Sequence, residues 1–255
     1  MKNQKKIVCI IPVRLASTRF PRKALASLHG RPMIAWVWDA VQRVDLFDDV
    51  FFAVDAQETA DVITGFGGKS LMTSVDCQSG TDRLVELVMK GRVEADVLVN
   101  WQGDEPFITP AMILSLVQSI DNPNEDIWML KKLIQDKHDI FSPNVSKVVC
   151  NRQGTALYFS RAPIPFFRDE SDPAVLVAKK VYYKNVGLYA YTPRALRKIF
   201  EMGLSACEDA EKLEMLRWLD YGLSIRLHET DCDVKGIDTP GDLAIAESLM
   251  SQRLR

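Results

Sequence analysis

Three short apolar runs, Ile7–Ile11, Val50–Val54 and Val97–Val99, recur through the N-terminal part of the chain, and the stretches between them carry apolar residues at helical spacing. Pro32 falls at a first helical position, where its missing N–H costs nothing, and Ile34, Val37, Trp38 and Val41 then make a buried stripe. Strands separated by helices of this length need crossover connections, so the pattern predicts an α/β chain with a mostly parallel central sheet and helices on both faces. In such a sheet ligands are expected in the loops beyond the carboxyl ends of the strands.

From about Ile127 the pattern shifts to shorter β-branched and aromatic segments, Val145–Val149, Ala156–Phe159 and Val181–Tyr191, divided by Pro- and Gly-containing turns. Helical spacing returns at Pro193–Glu201, at Glu208–Asp220, and after Thr239, where Pro240 suits a first turn. The chain therefore reads as a single domain over 1–255, with a smaller, partly antiparallel subregion at about 127–192 suited to dimerisation.

Lysine plus arginine (32) nearly balance aspartate plus glutamate (34), so the formal charge of −2 and pI near 6.0 give no general attraction to nucleic acid or an anionic membrane. An anionic ligand must meet a local cationic site. The five cysteines are widely spaced with no C-x-x-C pair, which argues against a disulfide framework and a zinc knuckle. The apolar run Ile7–Pro12 is too short for a signal-peptide core, and no run approaches the ~18 apolar residues of a membrane span. A cytoplasmic protein with no membrane insertion is expected.

That local cationic site has a candidate directly after the first strand, where Arg14, Arg19, Arg22 and Lys23 crowd into one loop with Ser17 and Thr18. These cations repel one another unless an anion such as a triphosphate lies among them, although a solvated basic loop would look the same. The dinucleotide fingerprint is missing here. Gly65-Phe66-Gly67-Gly68-Lys69-Ser70 resembles the end of a Walker A loop, but Ile63 stands where a Gly is required, so the segment reads as a helix C-cap entering a strand.

Two acidic positions could complement the loop. Asp104, in Asn100-Trp101-Gln102-Gly103-Asp104-Glu105-Pro106, lies beyond the strand Val97–Val99, and a carboxylate near phosphates is costly unless a divalent cation such as Mg2+ lies between them. Gly103 would let the backbone approach a ligand. Asp238, in Gly236-Ile237-Asp238-Thr239-Pro240, is a good helix N-cap and becomes a metal ligand only in partnership with Asp104. Ser79-Gly80-Thr81-Asp82-Arg83 opens a helix whose N–H groups could recognise a base or anion, or could simply be capped by Ser79 or Thr81. Lys147, Arg161 and Arg168 are further cations, and the arginine forks suit capture of a carboxylate, though a surface salt bridge is the commoner fate. His29, His138 and His228 fall in no metal or triad spacing.

In this order, R-L-A-S-T-R-F-P-R-K, S-G-T-D-R, Q-G-D-E-P, A-L-Y-F-S-R-x-x-I-P and G-I-D-T-P resemble the 3-deoxy-manno-octulosonate (Kdo) cytidylyltransferases, from about Ile7 to Leu249. The resemblance implies a Rossmann-like nucleotide-sugar-transferase fold, a homodimer, and Mg2+-dependent reaction of CTP with Kdo, giving CMP-Kdo and pyrophosphate for lipopolysaccharide assembly. Carried over by position, Arg14, Arg19 and Lys23 become triphosphate binders, Ser17, Ser79 and Gln102 fall at the nucleotide, and Asp104 and Asp238 become the metal ligands. Arg14, Lys23, Asp104 and Asp238 would then carry catalysis, while Lys147, Arg161, Arg168, Asn185, Glu214 and Met215 lie on the sugar side. The chain departs from the family where Pro-Gly-Lys becomes Pro21-Arg22-Lys23, where Asn185 replaces a His, and where Met215 replaces a Gln. The last two changes leave open another anionic acceptor, such as an amino-Kdo, a different ulosonic acid or a phosphonate. Together with Arg22 they also motivate a non-catalytic nucleotide-binding homologue as the reading from another class.

Overall fold

All seven residues of the first strand, β1 (Ile7–Val13), are buried, as its unbroken apolar sequence requires. In the computed structural model, which describes residues 5–17, 20–232 and 236–253, a 3-10 turn (Lys23–Leu25) and a two-residue hairpin, β2 (Ser27–Leu28) with β3 (Arg31–Pro32), follow it. Helix α1 (Met33–Val41) begins one residue after Pro32, which serves as its N-cap. Strand β4 (Asp49–Val54), helix α2 (Gln57–Gly65), strand β5 (Ser70–Met72), helix α3 (Gly80–Met89) and strand β6 (Val97–Asn100) complete the alternation.

These strands form a parallel sheet in the order β6-β1-β4-β5. Because every pairing is parallel, the chain leaves β1, β4 and β6 at one edge, where the register sets Val13 opposite Val54 and Ile10 opposite Asn100. The Walker-like segment behaves as the sequence predicts: α2 ends at Gly65, Gly67 has φ +84°, and the Gly68 N–H donates back to the Ile63 carbonyl at 3.0 Å.

The chain separates into two compact units, one of Met1–Ile113 with Val234–Arg255, the other Leu114–Asp233, the change falling within α4 (Pro110–Leu116). The second unit takes in the subregion expected at about 127–192. It contains β7 (Ile127–Leu133), α5 (Lys137–Phe141), β8 (Lys147–Cys150), β9 (Ala156–Ser160), α6 (Pro173–Ala178), β10 (Tyr183–Tyr191), α7 (Pro193–Glu201), α8 (Ala206–Glu211), α9 (Glu214–Asp220) and β11 (Ile225–Glu229). Strand β10 is antiparallel to β7 and β8, β8 is antiparallel to β9, and β11 runs parallel to β7. The helix expected over Glu208–Asp220 is two helices, since Lys212 turns left-handed at φ +52° and ends α8 before α9 begins. Uniform apolar spacing hides such a break, because one residue's φ leaves no trace in periodicity.

The chain ends in the first unit with α10 (Pro240–Arg253). Ile237, just before it, is 1% exposed and belongs to a cluster with Leu28, Met33, Ala246 and Met250. Among the described residues no helix is long and apolar enough to cross a membrane.

Two outcomes follow from this packing. Truncating Ile237→Ala removes a fully buried side chain beside Asp238 and is expected to cost about 2–4 kcal/mol in urea unfolding. In the second unit, burial holds the His228 imidazole down at about 4, Glu125 pulling it up less strongly and Arg226 pushing it further down. The unfolded chain takes up this proton near the ordinary value of about 6.5, so the unfolded state binds more protons as pH falls from about 6.5 to 4, and stability declines over that range. His228→Gln should flatten the decline measured between pH 7 and pH 5.

Candidate functional site

The edge of the first unit where β1, β4 and β6 end holds a cavity of about 260 Å³. The loop after β1 supplies Arg14, Ser17 and Lys23 to it, the start of α3 supplies Ser79 and Gly80, the loop after β6 supplies Gln102, Gly103 and Asp104, and the approach to α10 supplies Asp238. Arg19 lies outside the described residues.

Lys23 is the centre of this arrangement. Its ammonium bridges Asp104 and Asp238, donating to an oxygen of each, with 2.8 Å to Asp238 Oδ1. Burial pulls the Lys23 pKa down, yet Asp104 and then Asp238 outweigh it and leave it raised, so the side chain stays charged. The two carboxylates thus converge on one cation-sized point. Among the described residues no group of three or more His, Cys, Asp or Glu side chains is placed to hold a metal by itself. A two-carboxylate site suits Mg2+, which completes its shell with water and substrate phosphates.

The choice left open at Asp238 is decided locally. Thr239 caps α10, its hydroxyl accepting from the Asp242 N–H at 3.2 Å while Asp242 Oδ2 accepts from the Thr239 N–H at 2.9 Å. Relieved of capping, the Asp238 carboxylate faces Lys23. At α3 a capping box likewise engages Ser79, whose Oγ accepts from the Asp82 N–H while Asp82 accepts from the Ser79 N–H. Ser79 nonetheless lines the cavity.

Gly103 lines the cavity and has a steric reason within the chain as well. A Cβ there would lie 2.8 Å from Val13 Cγ2 and 3.0 Å from the Pro12 carbonyl, so the missing side chain lets the β6 loop lie against the end of β1. Beside it, Glu105 is buried and its pKa is raised well above the carboxylate range, first by desolvation and then by Asp104 and Asp238, against a smaller opposing pull from Lys23. Sequence reading passed over Glu105, Cys77, and the pair Asp55 and Arg83. Asp55 had a signal available: it stands just past a strand's carboxyl end, as Asp104 does.

In the second unit the expected sugar-side residues are placed less uniformly. Lys147 is fully buried, and its ammonium donates to the carbonyls of Ser142 at 2.8 Å, Val145 at 2.7 Å and Arg161. All three ammonium protons are used, so in this structure Lys147 ties β8 to the neighbouring loops and has none to offer a sugar. Arg161 is similarly engaged, donating to the carbonyls of Glu211 at 2.6 Å, Pro143 at 2.7 Å and Lys212 at 3.3 Å. Arg168 extends into solvent with 92% of its side chain exposed, and Met215 is 3% exposed within the core. Glu214 opens α9 half-buried. Asn185 lies on β10 with its Oδ1 buried and, among the described residues, without a hydrogen bond, a polar atom in want of a donor.

Residues 8–225 match the model of the cytidylyltransferase family. The chain is similar to the 3-deoxy-manno-octulosonate cytidylyltransferase of Trichlorobacter lovleyi, 46% identical over 97% of this chain and 99% of the relative. It is similar to that of Geobacter sulfurreducens, 46% identical over 93% and 96%. A solved structure described as CMP:2-keto-3-deoxy-manno-octonic acid synthetase complexed with CTP superposes with a TM-score of 0.90 at 39% identity, covering 97% of this chain and 99% of that one. A 4-diphosphocytidyl-2C-methyl-D-erythritol synthase from Anaerococcus prevotii, 13% identical over 98% of this chain and 100% of that one, shares the fold with a TM-score of 0.60.

Arg22 occupies a left-handed conformation, φ +55° and ψ +31°, at the head of the 3-10 turn, and its guanidinium pairs with Glu58 on α2. The backbone is therefore one that favours glycine, and the arginine offsets the strain only with a solvent-exposed ion pair. Arg22→Gly is expected to unfold about 1 kcal/mol later than Arg22→Ala in chemical denaturation, since alanine keeps the strain and loses the pair.

Proposed function

The chain belongs to the cytidylyltransferase family, among the 3-deoxy-manno-octulosonate cytidylyltransferases, and on that premise we propose that it transfers CMP from CTP to the anomeric hydroxyl of Kdo, releasing pyrophosphate. The observation that carries this reading is the convergence of Lys23, Asp104 and Asp238, from three separate segments, at the edge of the sheet beside Arg14 and Ser17.

The acceptor hydroxyl attacks the α-phosphorus in line, giving its proton to solvent as the new P–O bond forms, while the bond to pyrophosphate breaks and pyrophosphate departs on the opposite side. Mg2+, held by Asp104 and Asp238, would supply positive charge to acidify the hydroxyl and neutralise the phosphates. Arg14, Arg19 and Lys23 bind the departing phosphates, where negative charge grows in the transition state. For this, Lys23 leaves the two carboxylates and turns toward the triphosphate. Ser79 and Gln102 position the nucleoside. Catalysis is positioning plus electrostatics, with no side-chain base assigned.

The Oδ1 of Asn185, without a hydrogen bond among the described residues, favours an acceptor that presents a donor at this point. It keeps in view the second reading, the same transfer onto an amino-Kdo or another ulosonic acid. We also propose a homodimer formed through the second unit. Among the described residues strand β9 pairs with β8 alone, and Leu157 on it is 59% exposed, an apolar edge of the kind a partner covers.

Asp104→Asn is expected to lower turnover by about a hundredfold or more at saturating CTP and Mg2+, because the lost charge acts on the transition state. Near-normal pyrophosphate release by this variant would refute the metal role. Chelation by EDTA should stop the reaction and added Mg2+ restore it. A panel of ulosonic acids assayed by pyrophosphate release should rank Kdo first, and a higher rate with an amino-substituted acid would move the assignment to the second reading.

A further inference from the structure

Asp55 stands immediately beyond β4 and takes no part in the mechanism above. Its carboxylate is 8% exposed and divides its two oxygens between two walls of the cavity. Oδ1 accepts from the Leu15 N–H at 2.9 Å, in the basic loop between Arg14 and Ser17. Oδ2 accepts from Arg83 NH2 at 2.8 Å, and the Arg83 side chain is 3% exposed. The other terminal nitrogen of Arg83 donates to Thr73 Oγ1 at 2.6 Å and to the Ser74 carbonyl at 3.1 Å, in the segment that leads from β5 toward the turn before α3.

A loop that concentrates cations tends to spread when no anion is bound, and side-chain repulsion alone gives its backbone no preferred position. The Leu15 N–H is held by a charge-assisted hydrogen bond, stronger than a bond to a neutral acceptor, one residue after Arg14. We propose that Asp55 is a positioning residue for the β- and γ-phosphates: by fixing Leu15 it sets where Arg14 and Ser17 stand, and through Arg83 it ties that loop to the α3 side of the cavity. The proposal rests on the reading of this cavity as a CTP site. It is distinct from a purely structural role, in which Asp55 only neutralises a buried arginine.

The two roles separate by comparing CTP with CMP, since only CTP carries the phosphates that the loop would grip. Calorimetric titration of the full chain with each nucleotide gives the ratio of their affinities. In Asp55→Ala that ratio is expected to fall about tenfold, as small misplacements of binding groups commonly cost this much or more. Asp55→Asn, whose amide oxygen still accepts from Leu15, should lose less than about threefold, although it too breaks the pair with Arg83. Asp55→Ala leaves Arg83 buried without its counter-ion and risks misfolding. The double variant Asp55→Ala/Arg83→Met removes both charges while still freeing Leu15, and should show the same tenfold fall. A wild-type ratio in the double variant, or an equal loss in Asp55→Asn and Asp55→Ala, overturns the proposal. Failure of the reading beneath it looks different: the unaltered chain would then bind CTP no better than CMP and release no pyrophosphate with any ulosonic acid.

Discussion

The ammonium of Lys23, held between Asp104 and Asp238, joins parts of the chain that are 81 and 215 residues away from it. Neither carboxylate would be comfortable beside the other without a cation between them, and burial sharpens the repulsion. The pKa of the nearby Glu105 is driven upward by burial first and by the same two aspartates after it. A cluster of this kind holds its geometry while a cation occupies the gap, and in this structure that cation is the Lys23 ammonium. The first unit supplies rigid supports for that cluster.

Those supports are the carboxyl ends of parallel strands. Since β1 pairs with both β4 and β6 in parallel, the loops that follow all three emerge at one edge, and residues distant in sequence meet there. Gly103 permits the β6 loop to lie against the end of β1, and Thr239 caps α10 while the Asp238 carboxylate faces Lys23. Small local choices therefore decide which carboxylates serve structure and which serve the cavity.

The second unit uses its charges differently. Lys147 and Arg161 spend their donors on backbone carbonyls, and burial lowers the Lys147 pKa, with Glu211 pulling the other way. Their effect is to stiffen the segment that carries the Ala162-Pro163-Ile164-Pro165 turn. Asn185 stands apart from them, its buried oxygen without a hydrogen bond among the described residues.

By itself the sequence determined the parallel alternation of strands and helices, the basic loop after the first strand, the acidic positions at 104 and 238, and the family, because these depend on residue type and spacing. It located the Pro193–Glu201 helix without error, since the pattern there is local. Only the tertiary structure decided that Asp238 is not the helix cap, that Lys147 is saturated by carbonyls, that the helix over Glu208–Asp220 breaks at Lys212, and that Asp55 reaches Leu15 and Arg83. Each of these turns on which of several polar partners a side chain meets, or on a single backbone angle. Such choices are made by packing between distant segments, and periodicity along one chain carries no record of them.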